Sequence, residues 1–181
     1  GTIKSGGKTR RAAKMVILNA DHPDIVAFVE TKQYANQLAW KLPEIGYPVH
    51  ELDSPIWDHI QFQNANNSVR ATDEFMRSVE ADGDWDLKFV SDPTHIYQPV
   101  KARWLFDQIV DAAWDCADPG MQFDTTINDW HTLADTGRIN GSNPCSEYMS
   151  SDDSACNLAS LNLLRFARPN RGFDITGYSY T

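Results

Sequence analysis

Residues 99–116 constrain the fold most, because their apolar side chains recur at the spacing of one helix face. The apolar positions are Leu105, Phe106, Ile109, Val110, Ala113 and Trp114. Charged residues such as Lys101 and Asp107 fall outside this stripe. A helix with one apolar stripe is stable in water mainly when the stripe packs against other elements. The segment therefore predicts a helix docked on a core, in a chain of 181 residues that is long enough to build one.

Strands and further helices are predicted on both sides of residue 60. The apolar run at residues 15–18 predicts a buried strand, and Asp21-His22-Pro23 predicts the start of a helix that continues to about Leu42. Thr72 is suited to cap a short helix through Glu80, because its hydroxyl can accept from a free backbone N–H. Residues 85–90 alternate in polarity as a half-buried strand does.

Three segments are harder to assign from their residues. Residues 60–71 include a run at 63–67 with four amide side chains between apolar flanks, so they form either an exposed turn or a polar lining of a cavity. Residues 118–143 are small and polar and predict a long loop, which inside a compact domain usually has a function. Residues 155–166 are apolar again, and we expect them to re-enter the core as a strand or a short helix.

A cysteine lies between an amide and a carboxylate in Asn143-Pro144-Cys145-Ser146-Glu147, and Cys156 follows eleven positions after the first thiol. Glu147 is a potential general base, and Asn143 is a neutral hydrogen-bonding group. Pro144 fixes its own backbone angle and favours an extended Asn143, which predicts a stiff turn. Taken alone, these five residues fit either a reactive thiol or a surface turn with an incidental cysteine.

Charge and composition narrow the possible partners. A net charge of -9 argues against a protein that binds nucleic acid through its general field. Basic residues do cluster near the start, beside two glycines, which indicates a small phosphorylated ligand. Three cysteines, an odd number, favour a reducing compartment, and we expect a cytoplasmic protein. A mean hydropathy of -0.48 argues against a membrane protein. The start at Gly1, without a methionine, suggests a piece of a longer chain.

Five blocks of sequence together resemble one enzyme family. The blocks are residues 5–15, 21–25, 63–70, 118–132, and 143–148 with 152–160. In this order they are similar to the class II, adenosylcobalamin-dependent ribonucleoside-diphosphate reductases. The resemblance implies an α/β fold that is part of a ten-stranded barrel, built from two five-stranded half-sheets around a central finger loop. Residues 1–181 would be a partial catalytic barrel domain, with a specificity-type loop at 1–14 and the finger loop at 137–148.

The resemblance also implies a reaction and residue roles. Ribonucleoside diphosphates would be reduced to 2′-deoxyribonucleoside diphosphates, as DNA precursors, by a thiyl-radical mechanism that adenosylcobalamin starts. Cys145 would carry the radical, Glu147 would be the base for the 3′ hydroxyl, and Asn143 would orient the substrate. Cys156 would be one half of the reducing dithiol, and its partner would lie upstream of residue 1. No protein-bound metal is expected.

Partners follow from the same resemblance. The family's specificity loop lies between an effector nucleotide, a dNTP or ATP, and the substrate base. Candidates for nucleotide contacts are Gly6, Gly7, Lys8, Arg10, Arg11 and Ser142. Gly137 and Gly141 suit a loop threaded through a narrow space. A thioredoxin-like reductant and a homodimer of the full-length protein are also implied.

Alternatives remain from the residues themselves. The chain could be a catalytically inert nucleotide-binding fragment, because several parts of the family's machinery are missing. A zinc or simple thiol-disulfide protein is a weak alternative, since the cysteine spacing fits neither kind of site. An iron-dependent class of the same superfamily shares a cysteine flanked by asparagine and glutamate. Cys116 is interpreted as a buried small hydrophobe, and His131 as a hydrogen-bonded structural residue.

Overall fold

A computed structural model describes residues 13–49, 51, 54–169 and 172–181. The strands are β1 (Met15–Asn19), β2 (Asn66–Ala71), β3 (Asp84–Phe89), β4 (Asp92–Lys101), β5 (Gly120–Phe123), β6 (Gly141–Ser142) and β7 (Met149–Ser150). The α-helices are α1 (Ile25–Lys41), α2 (Asp73–Glu80), α3 (Ala102–Cys116), α4 (Asp124–Asp129) and α5 (Ile175–Tyr180). Short 3-10 helices cover Leu42–Ile45, Pro55–Asp58, Ala134–Thr136 and Leu163–Phe166.

A parallel sheet of three strands, in the order β1-β2-β5, organises the molecule. Met15 pairs with Asn66, and Ser68 pairs with Gly120. Parallel neighbours need long crossover connections. The connection from β1 to β2 contains α1, and the connection from β2 to β5 contains α2, the β3–β4 hairpin and α3. The core beside the sheet consists of Ala20, Ile25, Val29, Val69, Ala71, Phe75, Val79, Leu87, Ala102, Leu105, Ile109 and Ala112. These elements confirm an α/β fold.

Only the second half of the polar segment 60–71 forms the central strand of this sheet, whereas residues 61–64 form an exposed turn as one interpretation predicted. Residues 67–71 are all buried. Strands β1 and β5 pair with β2 on its two sides and satisfy its backbone hydrogen bonds. Burial of β2 therefore requires further hydrogen-bond partners only for its polar side chains. The exposed-turn interpretation is therefore wrong for Asn66–Ala71, because Asn67 and Arg70 are buried and bonded, Asn67 through its backbone N–H and Arg70 through its guanidinium.

Several predicted elements are confirmed. β1, α1, α2 and β3 lie where the sequence predicted them, and the Thr72 hydroxyl caps α2 by accepting from Phe75 N at 3.2 Å. The helix predicted over 99–116 begins at Ala102, because residues 99–101 finish β4. Its buried face is Ala102, Leu105, Ile109 and Ala112.

The predicted apolar stripe on α3 was partly wrong. Val110 and Trp114 face outward, with Trp114 89% exposed. Alanines face inward instead, because small side chains let α3 pack closely against α1 and α2. Charged and large apolar residues share the outer face, so polarity alone did not define the inner one.

The prediction that residues 155–166 re-enter the core is wrong for the described structure. Most of this segment is irregular, and only Leu163–Phe166 forms a 3-10 helix. Leu158 and Leu164 are 65% and 82% exposed. Apolar composition favours burial but does not supply the surface that covers it.

The described residues do not close a barrel. They form the three-stranded parallel sheet and two separate two-stranded hairpins, β3–β4 and β6–β7. The ten-stranded barrel therefore remains an expectation from the resemblance. Within the described residues, no helix has both the length and the apolar character needed to cross a membrane.

Candidate functional site

A small hairpin presents Cys145. β6 and β7 pair antiparallel, with Gly141 opposite Ser150 and Ser142 opposite Met149. Residues 143–148 connect them, and we call this connection the cysteine turn. The long loop predicted for residues 118–143 is only partly confirmed, since β5, α4 and β6 occupy much of it.

Asn143 closes the cysteine turn with both its backbone and its side chain. Its backbone N–H donates to Tyr148 O at 3.3 Å, and its Oδ1 accepts from Tyr148 N at 3.0 Å. Its carbonyl oxygen accepts from Ser146 N at 2.9 Å. Oδ1 is thus engaged in the turn, while the Nδ2 protons have no acceptor among the described residues and are available for a ligand.

The thiol and the carboxylate of the turn are accessible. Cys145 and Glu147 are both exposed, and Ser146 between them has a φ of 63°, a left-handed conformation that serine rarely adopts. This backbone confirms a turn at the predicted place. Because Ser146 reverses the chain between the two residues, its conformation sets the directions in which Cys145 and Glu147 leave the backbone.

The hairpin lies along one face of the parallel sheet. A Cβ added at Gly141 would stand 2.9 Å from Ile17 Cδ1, so the absence of a side chain permits the close approach to β1. Further along, Asn66 Nδ2 donates to Pro144 O at 3.1 Å. Asn66 is the first residue of β2, so the cysteine turn lies at the amino end of the central strand.

The chain before β1 enters the fold at the same place. Asn66 N donates to Lys14 O at 2.8 Å, so one residue contacts both the cysteine turn and the end of the segment that is predicted to be a specificity-type loop. The candidate residues of that loop, Gly6, Gly7, Lys8, Arg10 and Arg11, lie outside the described residues. Their roles remain predictions.

A buried arginine anchors the base of the hairpin. Arg70 is 3% exposed, and its Nε donates to Asp124 Oδ1 at 2.8 Å. Nη1 donates to Gln122 Oε1 at 3.0 Å, and Nη2 donates to the carbonyl of Ile139. Asp124 also pairs with Arg138 at 2.6 Å. The ion pair and its added hydrogen bonds compensate the desolvation of the guanidinium.

Ser142, predicted to contact a nucleotide, belongs to this anchor in the structure. Gln122 Nε2 donates to Ser142 Oγ at 2.7 Å, and Ser142 Oγ donates to Asn143 O at 2.8 Å. Its nucleotide role remains a prediction. Sequence reasoning assigned no role to Arg70 or Gln122. A signal was present, because a charged residue inside the run Val69-Arg70-Ala71 must find partners if the strand is buried.

The other two cysteines lie outside the hairpin residues 141–150. Cys156 is a free, exposed thiol in an irregular segment, and Cys145 and Cys116 are also free. Cys116 is half-buried rather than buried, and its thiol donates to Ala112 O at 3.2 Å. No group of three metal-binding side chains occurs within the described ranges.

His131 has one hydrogen-bonded nitrogen and one without a partner. Its Nδ1 accepts from Leu133 N at 3.5 Å, a long bond that fits the predicted structural role. Its buried Nε2 has no partner among the described residues. The imidazole borders a cavity of about 440 Å³ that also includes Trp130, Ile139 and Met149. Met149 connects this cavity to β7.

Comparisons with known proteins show the family of the chain. The family model described as "Ribonucleotide reductase, barrel domain" matches residues 1–181. The "Vitamin B12-dependent ribonucleotide reductase" of Streptomyces clavuligerus is 51% identical over 183 residues, which cover 99% of this chain and 19% of that protein. The protein of the same name from Rhodopirellula baltica is 46% identical, covering 96% of this chain and 17% of its own.

A more distant relative has a more specific name. The "Vitamin B12-dependent ribonucleoside-diphosphate reductase" of Thermoplasma acidophilum is 35% identical over 95% of this chain and 19% of its own length. The chain belongs to the ribonucleotide reductase barrel-domain family. It spans about a fifth of the length of the curated relatives that it matches.

Proposed function

We propose that this chain is part of the catalytic barrel of a cobalamin-dependent reductase that converts ribonucleoside diphosphates to 2′-deoxyribonucleoside diphosphates. The observation that carries the proposal is the exposed Cys145 thiol, held between Asn143 and Glu147 on a turn that two elements of the sheet fix in place. The names of the relatives support the reductase activity and the cobalamin dependence. The diphosphate substrate is supported by the name of the Thermoplasma acidophilum protein.

Cys145 is proposed to exchange hydrogen atoms with the substrate. As a thiyl radical it takes the 3′ hydrogen of the ribose and becomes a thiol, leaving the radical on C3′. At the end of the cycle the thiol returns a hydrogen atom to C3′. An S–H bond is comparable in strength to this C–H bond, so the exchange runs in both directions. The exposure of the sulfur is the property that such an exchange requires.

Glu147 and Asn143 are proposed to serve the substrate hydroxyls. Glu147 takes the proton of the 3′ hydroxyl, while the 2′ hydroxyl accepts a proton from the reducing dithiol and leaves as water. Asn143 has its Oδ1 committed to Tyr148 N, so its Nδ2 is the group that would orient the ribose. A side chain fixed at one end positions a ligand at a smaller entropic cost than a mobile one.

Cys156 is proposed as one member of the dithiol that reduces the C2′ position. The pair supplies two electrons and ends as a disulfide, which a thioredoxin-like protein would reopen by thiol exchange. Its exposed position on an irregular segment leaves the thiol reachable by another thiol. The partner thiol is expected upstream of residue 1.

The described residues fit the cofactor that this proposal requires. Cobalamin carries its metal in its own ring, so the chain need not supply a cluster of ligands for it. The fit rests on Cys145, whose accessible sulfur would give up its hydrogen once the cofactor is bound. When bound, adenosylcobalamin supplies the carbon radical that removes the thiol hydrogen.

Residues 1–14 are proposed as the loop that links an effector nucleotide, a dNTP or ATP, to the choice of substrate base. Support comes from Asn66, whose backbone N–H donates to Lys14 O and whose side chain donates to Pro144 O, so that Lys14 lies near the cysteine turn. A homodimer of the full-length protein is proposed on the family resemblance alone.

A chimera tests the proposal. The Streptomyces clavuligerus relative would carry residues 1–181 in place of its matching segment, and deoxynucleotide formation would be measured with a ribonucleoside diphosphate, adenosylcobalamin and a dithiol. We expect turnover that requires adenosylcobalamin and that Cys145→Ala abolishes, with Cys116→Ala as the matched control that retains it. A folded but inactive chimera, beside an active parent, would support the inert-fragment alternative. Turnover without cobalamin would support another class of the superfamily.

A further inference from the structure

Arg70 determines which way the Gln122 amide points. Arg70 has only donors, so the Gln122 atom that lies 3.0 Å from its Nη1 must be the acceptor Oε1. The amide nitrogen is then directed to the opposite side, where it donates to Ser142 Oγ at 2.7 Å. Gln122 is 1% exposed, so water does not compete for either bond.

The Gln122 amide in turn determines which way the Ser142 hydroxyl points. A hydroxyl has one proton, and an oxygen that accepts from Gln122 keeps that proton for another acceptor. Asn143 O lies 2.8 Å away and is the closer acceptor for it, whereas Ser146 Oγ lies 3.3 Å away. Ser146 Oγ is then left to donate toward Ser142 Oγ.

This series of hydrogen bonds, from Arg70 through Gln122 to Ser142, ends inside the cysteine turn. Asn143 O, which accepts from Ser142, also accepts from Ser146 N at 2.9 Å. Ser146 is the residue with a left-handed backbone directly after Cys145. A strained backbone persists only when the surrounding structure fixes it. For Ser146, the hydrogen bonds to Asn143 and Ser142 provide this constraint.

We infer that Arg70 and Gln122 are positioning residues, which act through Ser142 to hold the cysteine turn in the conformation that aims Cys145. The inference rests on the proposed function for its catalytic consequence, but the effect on the turn itself does not depend on it. Asp124 pairs with Arg70 and thereby fixes the orientation of its guanidinium. Each hydrogen bond of the series has a fixed donor and a fixed acceptor, whereas simple packing would depend on shape alone.

Gln122→Glu tests this direction. Glutamate has nearly the same shape and still accepts from Arg70, but its second oxygen is an acceptor where the amide was a donor. If the hydrogen bonds have these directions, Ser142 must then donate its one proton to the new carboxylate rather than to Asn143 O. Ser142→Ala removes the same donor without changing Arg70. Gln63→Glu, at an exposed residue outside the network, is the matched control for the added charge.

Amide hydrogen exchange at Ser146 is the primary measurement, on the 181-residue chain. We expect Gln122→Glu and Ser142→Ala to accelerate it about fivefold or more, the effect of one lost hydrogen bond, with the urea midpoint of Gln122→Glu unchanged. Gln63→Glu is expected to leave exchange at Ser146 unchanged. If Gln122 acts by packing alone, Gln122→Glu and Gln63→Glu should have the same rate of amide exchange at Ser146, and that result would overturn the inference.

Kinetics of the chimera separate the two proposals. Gln122→Glu is expected to lower kcat about tenfold while KM stays the same, because the turn is misaimed but the substrate still binds. Faster exchange at Ser146 in the chain, combined with an inactive unsubstituted chimera, supports the positioning role and contradicts the reductase proposal. An active chimera in which Gln122→Glu changes neither kcat nor exchange contradicts the positioning role alone.

Discussion

Asn66 Nδ2 donates to the carbonyl oxygen of Pro144 at 3.1 Å, so the first residue of the central strand holds the residue before Cys145. The Asn66 backbone N–H also binds Lys14 O at 2.8 Å. One asparagine thus ties the cysteine turn to the sheet and to the chain that enters β1. A loop that carries a reactive thiol needs such fixed contacts, because small displacements of reacting atoms reduce rates strongly.

Asn66→Ala is expected to lower kcat of the chimera about tenfold, because the turn loses a contact at its outer end. The free energy of unfolding should fall by only about 1 kcal/mol, since one hydrogen bond of an exposed side chain is lost. Steady-state kinetics and urea unfolding check the two effects. Gln63→Ala is the control, because the bond that the Gln63 side chain donates is a local one, to Gln61 O. Equal kinetics for both variants would contradict a positioning role for Asn66.

Gly141→Ala is expected to destabilise the fold by about 1–3 kcal/mol, because the new Cβ would crowd the side chain of β1. The crowded atom is Ile17 Cδ1, 2.9 Å from the added Cβ position. Ile17→Val removes that methyl group. The double variant should therefore be less destabilised than the sum of the single variants in urea unfolding. Strict additivity would show that the close approach does not exist in solution.

Arg70→Met is expected to cost about 3 kcal/mol, the lower end for removing one partner of a buried ion pair, because Asp124 keeps Arg138. Arg77→Met is the matched control. Its pair with Asp73 is exposed on α2, so its loss should cost no more than about 0.5 kcal/mol. Chemical unfolding of both variants provides the comparison. Similar costs for the two would mean that the Arg70 network contributes little to stability.

Asp174 near the start of α5 provides a pH test. The Gly177 backbone N–H, and then the Arg168 guanidinium, hold the pKa of this carboxyl below its ordinary value of 3.8. A lowered folded pKa means that the contribution to stability is present above 3.8 and is lost as the pH falls through the lowered value. The Gly177 amide signal in NMR should therefore titrate with a midpoint below 3.8. A midpoint above that ordinary value would contradict the contact.

The local elements of the fold were largely predictable from the sequence. Thr72 carries a cap signal that acts over three residues, and β1 and α1 are set by short-range apolar patterns. The central strand β2 was missed because its polar residues are stabilised by partners far along the chain. Arg70 lies 54 residues before Asp124 and 69 before Ile139. Arg70 indicates that partners are needed if the strand is buried, but no pattern inside β2 shows which residues they are.

The candidate site divides in the same way. Cys145, Asn143 and Glu147 form one short motif, and the structure places them on one turn as the motif predicted. Gln122 was not predictable, since its role depends on strand pairing between β2 and β5 and on the return of the hairpin across the sheet. Residues 155–166 were predicted as core from composition alone, which cannot show where a covering surface lies.

We propose that Cys145 is the group that exchanges hydrogen with the cofactor. The decisive measurement is the release of tritium into water from the 5′ carbon of labelled adenosylcobalamin, in the chimera with an effector nucleotide present. We expect Cys145→Ala to abolish this release, and Cys156→Ala to retain it while losing reduction of the substrate. Tritium release by Cys145→Ala at the unsubstituted rate would contradict this role of Cys145.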